Sequence, residues 1–372
     1  MITEIFNIGK IVTFDSFLNK VIELNTNSII IKGNKIYCFD SDTIDFDIDK
    51  RIDAQGSLIT PGFIDSHTHL LFASNRAEDF SSRIKGKTYL EIAKDGGGIK
   101  SSIKSLRSAS IDQLFNNSLK KLNNIIKSGT TTIEVKSGYG LTFEDEIKSL
   151  EVIKELNKEE HIDIVPTFMG AHDFPEDNLS KESYMDLLCN EMIPEVGQLG
   201  LAEFCDVFCE IGYFNHSQTK LICEAAKNNN LHIKLHVDEF QDSEGAYLAG
   251  SIGAVSADHL MKSNHRGLLN MANNGVVATI LPGTTLFLGL DTYANGREII
   301  DLGCDLAIAS DYNPGSCTIY SLPIIMALSC LYCGLTVEEA FKAVTFNAAK
   351  AINRSDKIGL VKEDYIADLL FW

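Results

Sequence analysis

The chain is short of positive charge: 33 lysines and arginines stand against 51 aspartates and glutamates, a formal net charge of −18 over 372 residues. That balance argues against a nucleic-acid partner and against docking on acidic membranes, since both call for a basic surface. It also repels anionic substrates at long range, so an anion bound here needs a local cation. No apolar run approaches the ~20 residues that cross a bilayer, and no cleavable signal sequence is evident. The nine cysteines are an odd number in no regular framework, which speaks against a disulfide scaffold and for a reducing, cytoplasmic setting. Internal repeats and low-complexity segments are missing too. With 45% apolar residues, the chain can bury one large core beside a small accessory domain.

What is present is a series of short apolar runs: Leu58–Ile64, Thr130–Val135, Ile162–Phe168, Cys205–Cys209, Leu231–His236, Ala254–Ala257, Val276–Leu281 and Leu306–Ala309. They are rich in β-branched residues and too short for helices, and most segments between them have helical periodicity, as in parallel strands covered on both faces. Eight strands with helical crossovers predict an α/β fold, a (β/α)8 TIM-like barrel over residues 58–354. In one connector Ser110 is a candidate N-cap, and Ile111, Leu114, Phe115, Leu119, Leu122, Ile125 and Ile126 make one apolar face before Gly129. Residues 1–57 carry strand-like runs at Lys10–Phe14, Ser28–Ile31 and Lys35–Phe39, with Gly33-Asn34 as a hairpin turn. Ile366–Trp372 reads as a strand returning to them, so residues 355–372 are expected to join a small accessory β-domain built from both chain ends.

Active sites of such barrels form where the strands end, which draws attention to polar residues just past those points. His67-Thr68-His69 follows the first strand, and two histidines pointing to one side suit a metal ion. Taken alone, such a pair is more often a surface or core feature. Here His236 ends the fifth strand, His259 follows the sixth, Asp311 follows the eighth, and His172 lies four residues past the third. Five of the nine histidines thus gather at one mouth.

Six stretches sharpen the picture: Pro61 to His69 (PGFIDSHTH), Glu134 to Gly140 (EVKSGYG), Gly170-Ala171-His172, His236 to Phe240 (HVDEF), Ser256 to Leu260 (SADHL) and Asp311 to Ser316 (DYNPGS). On these the chain resembles the amidohydrolase superfamily, and within it the imidazolonepropionase family, from about Gly9 to the end. The resemblance implies hydrolytic ring opening of 4-imidazolone-5-propanoate to N-formimidoyl-L-glutamate in histidine degradation. It implies His67, His69, His236 and Asp311 as ligands of one Zn or Fe ion per chain. Arg76, Tyr139, His172, Glu239, Asn313, Gly315 and Ser316 match its substrate contacts, and Glu239, His259 and Asp311 are the candidate catalytic residues on chemical grounds. Family members usually continue by another strand or two, so the accessory β-domain is expected to be short at its C-terminal side. A homodimer is left open.

The chemistry explains those residue types. Hydrolysing a cyclic amide at neutral pH needs a nucleophile stronger than water, and a metal held by three histidines and a carboxylate brings the pKa of its bound water toward ~7. Asp311 can bind the ion and also take a proton. Glu239 is spaced to hydrogen-bond the water or a ring nitrogen, while His259 can polarise the carbonyl or shuttle a proton. Arg76 offers a planar fork for the propionate of this small anionic substrate, with Tyr139 and His172 framing the ring. Each has a plainer reading: Arg76 pairing with Glu78 or Asp79 on a solvated turn, Tyr139 as a loop aromatic, His172 as a satisfied core histidine, Glu239 as a helix N-terminal carboxylate.

A second ion is not expected, because strand four ends in Cys209-Glu210 and not in a lysine that could bridge two metals; Glu210 is a remote substitute. Three imidazoles and a carboxylate suit Zn and non-haem Fe alike. Cys330 and Cys333 have redox spacing but sit in an apolar stretch that reads as buried helix, and Cys205 and Cys209 read as core. Gly96-Gly97-Gly98 lacks the Lys-Ser/Thr of a P-loop and reads as a turn near the substrate. Two rivals stand beside the hydrolase: a purine or pyrimidine deaminase using the same ligands, and a catalytically inactive scaffold, which would be expected to have lost ligands.

Overall fold

The computed structural model describes residues 1–40, 47–87, 91–92, 95–159, 162–177 and 179–372. The first strands are β1 (Ile2–Phe6), β2 (Lys10–Asp15), β3 (Lys20–Leu24), β4 (Ile29–Lys32), β5 (Lys35–Phe39), β6 (Lys50–Asp53) and β7 (Leu58–Pro61). The central strands are β8 (Phe63–Asp65), β9 (Thr130–Lys136), β10 (Asp163–Ala171), β11 (Phe204–Cys209), β12 (His232–Val237), β13 (Ser256–His259), β14 (Val277–Ile280) and β15 (Leu306–Ile308). Strand β16 (Leu369–Phe371) comes last.

Strands β8 to β15 form one parallel sheet in chain order. Every residue of β11, β13 and β14 is buried, as expected of strands covered on one face by helices and on the other by the barrel interior. The sheet closes just beyond its edge strands. Thr68 bridges Tyr312 in parallel fashion, the Asp311 N–H donates to the His67 carbonyl at 3.1 Å, and the His69 N–H donates to the Tyr312 carbonyl at 2.9 Å. The seam of the barrel is therefore made by the two segments that carry the metal-competent residues.

The expected strand Leu58–Ile64 is in fact two. β7 pairs in parallel with β2 and antiparallel with β16, whereas β8 pairs with β9 in the barrel. Gly62 is the crossing point: a Cβ there would lie 2.0 Å from Thr131 Oγ1, and its N–H donates to the Asp368 carbonyl at 2.8 Å. Both halves are buried, so apolar periodicity reads straight through the break.

The small sheets, in orders β5-β4-β1-β6 and β16-β7-β2-β3, share a core of Ile5, Ile11, Ile29, Ile36, Ile59 and Val361. Both chain ends contribute, as expected. Gly33 at φ +68° makes the tight turn between β4 and β5. The sequence reading omits β1, β3 and β6; β6 is charged and largely exposed, and its strand character comes from pairing with β1. Helix Ile111–Ile126 follows its pattern: Ser110 and Gln113 form a capping box, Leu114, Leu122 and Ile125 are buried, and only Ile111 at the first turn of that face is exposed. Cys205 and Cys209 are core, Cys330 and Cys333 straddle the end of helix Leu322–Tyr332, and all nine cysteines are free thiols. The Gly96–Gly98 turn leads into helix Ile99–Ser108, and the Gly98 N–H donates to Asp79 Oδ2 at 2.9 Å. Among the described residues, no helix is long and apolar enough to cross a membrane.

Candidate active site

Alternation along the barrel strands puts every second side chain inside, and in several strands those positions are polar. Glu134 and Lys136 of β9, Asp206 of β11, Lys234 and His236 of β12 and Asp258 of β13 are all buried. Above them the expected ligands meet. Nε2 of His67 and Nε2 of His69 each stand 3.7 Å from Asp311 Oδ1, and His69 Nε2 lies 3.2 Å from His236 Nε2. His259 joins the same group: ligand atoms of His67, His236 and His259 lie within 4.8 Å of one another, as do those of His67, His69 and Asp311.

The donor set fits a metal ion. His67 Nδ1 is engaged by Asp258 at 2.6 Å, while its Nε2 is buried with no hydrogen-bond partner. An unsatisfied buried polar atom costs about 1–3 kcal/mol, and a cation at the centre of the cluster removes that cost. The backbone is also strained in favour of this geometry. His259 and Asp311 have φ of +79° and +50°, conformations that cost non-glycine residues about 1–3 kcal/mol and cluster at functional sites.

Burial pushes the imidazoles of His67, His69 and His259 well below their ordinary value, helped by Lys136, His172 and His236 respectively. All three are thus neutral, the form that ligates metal. Burial lifts Asp311 to about 6, opposed by Thr284 Oγ1, which donates to Oδ2 at 2.5 Å. Burial, reinforced by Asp311 and Glu210, holds Glu239 well above the usual carboxylate range. Glu239 Oε2 is 3.8 Å from His259 Nε2, so the two face each other beside the cluster.

A cavity of about 590 Å³, its mouth included, opens onto these groups and is walled by Arg76, Tyr139, His172, Glu239, Asn313 and Ser316. Gly315 sits behind Arg76, where a Cβ would strike the guanidinium. Asn313 shapes the loop from within: its Oδ1 accepts from the N–H groups of Gly315, Ser316 and Cys317. His172 donates from Nδ1 to the Gly138 carbonyl at 2.9 Å, and its ring stacks on His69 with centroids 4.9 Å apart. Burial, aided by His236, lowers it to about 3, which keeps it neutral. The Tyr139 ring is 5.3 Å from His172. Arg76 does approach Asp79, at 3.8 Å, yet its side chain is only 10% exposed and its Nε has no hydrogen-bond partner; the solvated-turn reading accounts for its neighbour but not for its burial. Glu210 is engaged elsewhere, accepting from the backbone N–H groups of Ile211, Glu239 and Phe240.

Sequence reasoning missed the residues under the cluster: Asp206 and Asp258, which reach His236 and His67, the lysines beside them, and Thr284. For Asp206 the available signal was a lone acid at an inward position of an otherwise apolar strand; Asp258 stands in the polar run Ser-Ala-Asp-His, where nothing sets it apart.

Comparison with known proteins bears on this geometry. The Amidohydrolase family model matches residues 58–372. The imidazolonepropionase of Brevibacillus brevis is 48% identical over 319 residues, 86% of this chain and 75% of that one. The chain belongs to the imidazolonepropionase family of amidohydrolases. The imidazolonepropionase of Thermoanaerobacter pseudethanolicus matches over a longer span, at 41% identity across 98% of this chain and 90% of its own length. Among solved structures, 5-methylcytosine deaminase from Klebsiella pneumoniae has a TM-score of 0.74 at 16% identity, covering 99% of this chain and 90% of that one. An adenosine deaminase from Xanthomonas campestris with bound zinc has a TM-score of 0.73 at 14% identity, covering 99% and 84%. At such identities the likeness of these two to this chain is one of fold alone.

Proposed function

We propose that this chain hydrolyses the imidazolone ring of 4-imidazolone-5-propanoate, giving N-formimidoyl-L-glutamate, and that it does so with one Zn or Fe ion held by His67, His69, His236 and Asp311. The observation that carries the reading is the buried guanidinium of Arg76 facing a histidine and carboxylate cluster across one cavity, in a chain whose net charge of −18 otherwise repels anions. When bound, the ion acts as a Lewis acid and makes a strong nucleophile available near neutral pH.

The remaining work falls to side chains. Arg76 pairs with the propionate and fixes the ring's position, with Ser316 beside it on a loop shaped by Asn313 and Gly315. Tyr139 and His172 frame the ring; His172 is neutral and cannot compete with Arg76 for the carboxylate. Asp311 accepts the proton of the attacking water. Glu239 hydrogen-bonds a ring nitrogen and hands it a proton as the carbon–nitrogen bond breaks, a role suited to a carboxyl whose hold on its proton is strengthened by burial. His259 donates a hydrogen bond toward the carbonyl oxygen as charge develops there.

The deaminases resemble this chain in fold alone, at 14–16% identity, whereas proteins named imidazolonepropionase match at 41–48%. The free thiols fit the reducing cytoplasm. The direct test is a ring-opening assay: consumption of 4-imidazolone-5-propanoate with stoichiometric formimidoyl-glutamate supports the proposal. Turnover of aminopurines or aminopyrimidines in its place would overturn it.

A further inference from the structure

Two buried lysines lie beneath the histidine cluster, and the reaction described above leaves both unused. Lys136 Nζ is 2.6 Å from Glu134 Oε1 and 2.7 Å from Asp206 Oδ2. Lys234 Nζ donates to the carbonyls of Ser66 and Ala351 at 3.2 Å each and stands 3.7 Å from Asp258 Oδ2. Both lysines and both aspartates are fully buried. Ion pairs inside a barrel are a poor source of stability, because desolvating the charges offsets their attraction and a well-packed apolar set serves as well or better. Their presence calls for another reason.

The aspartates supply one, since each also contacts a histidine. Asp206 Oδ1 lies 3.0 Å from His236 Nδ1, and Asp258 Oδ2 lies 2.6 Å from His67 Nδ1. A carboxylate beside an ammonium accepts hydrogen bonds and donates none. The proton of each imidazole must then sit on Nδ1, which leaves the Nε2 lone pair facing the cavity. His67 Nε2 has no hydrogen-bond partner, and His236 Nε2 faces His69 Nε2 at 3.2 Å. His69 has no such anchor: its Nδ1 is buried without a partner, and the ring is held by stacking on His172.

We propose that Asp206, hydrogen-bonded by Lys136, and Asp258, with the Lys234 ammonium nearby, are positioning residues that lock His236 and His67 in the Nδ1–H tautomer and so set how tightly the site retains its metal. The proposal rests on the reading that these two histidines are ligands. Carboxylates that orient ligating histidines are worth about 10–100-fold in metal affinity in other sites, and two such anchors act here on the same ion.

Asp206→Asn and Asp258→Asn keep the shape but present an amide that can donate to Nδ1, which moves the ring proton to Nε2 and blocks ligation. Zinc affinity, measured by competition with a chromophoric chelator, is expected to fall about 10–100-fold in each. Long-range 1H–15N correlations of the metal-free, unaltered chain should show Nδ1–H for both rings, a readout that depends on neither variant folding nor metal binding. Glu146→Gln is the control: Glu146 is a buried carboxylate that accepts from the N–H groups of Gly138, Gly140 and Leu141 and from no histidine. That variant should melt lower and bind zinc as the unaltered chain does. Unchanged zinc affinity in both Asn variants, a loss no larger than in Glu146→Gln, or an Nε2–H tautomer in the unaltered chain would each overturn this proposal alone. Failure of the unaltered chain to bind either zinc or ferrous iron would overturn the ligand assignment and this proposal together.

Discussion

A Cβ atom on Gly315 would stand 2.0 Å from Nε of Arg76. The loop after Asp311 is therefore the back wall of the guanidinium, and the Arg76 N–H ties the two segments by donating to the Pro314 carbonyl at 2.7 Å. Arg76 and the eighth-strand carboxylate of Asp311 are thus joined through the five residues 311–315.

The first prediction follows from that contact. Gly315→Ala must displace Arg76, so KM for 4-imidazolone-5-propanoate should rise while metal content stays the same. Arg76→Ala should cost about 2–4 kcal/mol in kcat/KM, the loss of a charge-assisted pair in a closed site. Steady-state kinetics on the natural substrate and on an analogue without the propionate check both. Equal losses on the two substrates would assign Arg76 to the fold and not to recognition.

Metal content provides the second. Elemental analysis of purified protein should find about one equivalent of Zn or Fe, and activity should disappear on chelation and return on adding the ion back. His236→Ala should lose metal and activity yet unfold cooperatively, because the site lies at the barrel rim. Two equivalents per chain would count against a single-ion centre.

Glu239 and His259, 3.8 Å apart, give the third. Glu239→Gln and His259→Gln should each lower kcat by about 10²-fold or more with the metal still bound. Paired measurement of kcat and metal stoichiometry tests this, and near-normal turnover in both variants would remove them from proton transfer.

The fourth concerns stability and pH. Burial, with Asp163 nearby, pushes the Asp368 carboxyl up from 3.8 to about 6. A raised folded-state pKa means that folding favours the protonated form, so this contribution is complete below 3.8 and is lost as pH rises through about 6. The full shift corresponds to about 3 kcal/mol, and partial exposure reduces it. Asp368→Asn stays neutral at every pH. It should be more stable than the unaltered chain by about 1–2 kcal/mol near pH 8, and no more stable near pH 4, in urea unfolding.

Legibility followed burial and periodicity. Strands such as Cys205–Cys209 and Val276–Leu281 announced themselves as uninterrupted apolar runs, and His67, His69, His236 and Asp311 stood out as polar residues where those runs stop. Gly62 did not, because the chain leaves one sheet and enters another without exposing a residue. Asp206 and Asp258 were silent for a related reason: a single acid within a strand carries no pattern, and its meaning comes from a histidine 30 or 191 residues away. Gly315 showed only as part of the Asp-Tyr-Asn-Pro-Gly-Ser stretch, since the clash it avoids involves Arg76, a residue beside it in space but distant from it in sequence.

The barrel is closed by the same peptides that present the histidine and carboxylate cluster, with Ser310 donating to Asp65 from its N–H at 3.0 Å across 245 residues of sequence. The farthest-separated strands of the barrel must find each other before the site exists at all, and contacts of that separation are entropically the dearest a chain forms. A newly made chain with seven strands docked and the eighth astray would have nearly all of its core and none of its chemistry. Activity in this enzyme thus serves as a report that the ring has been completed, and a cell holding misassembled copies would hold inert ones.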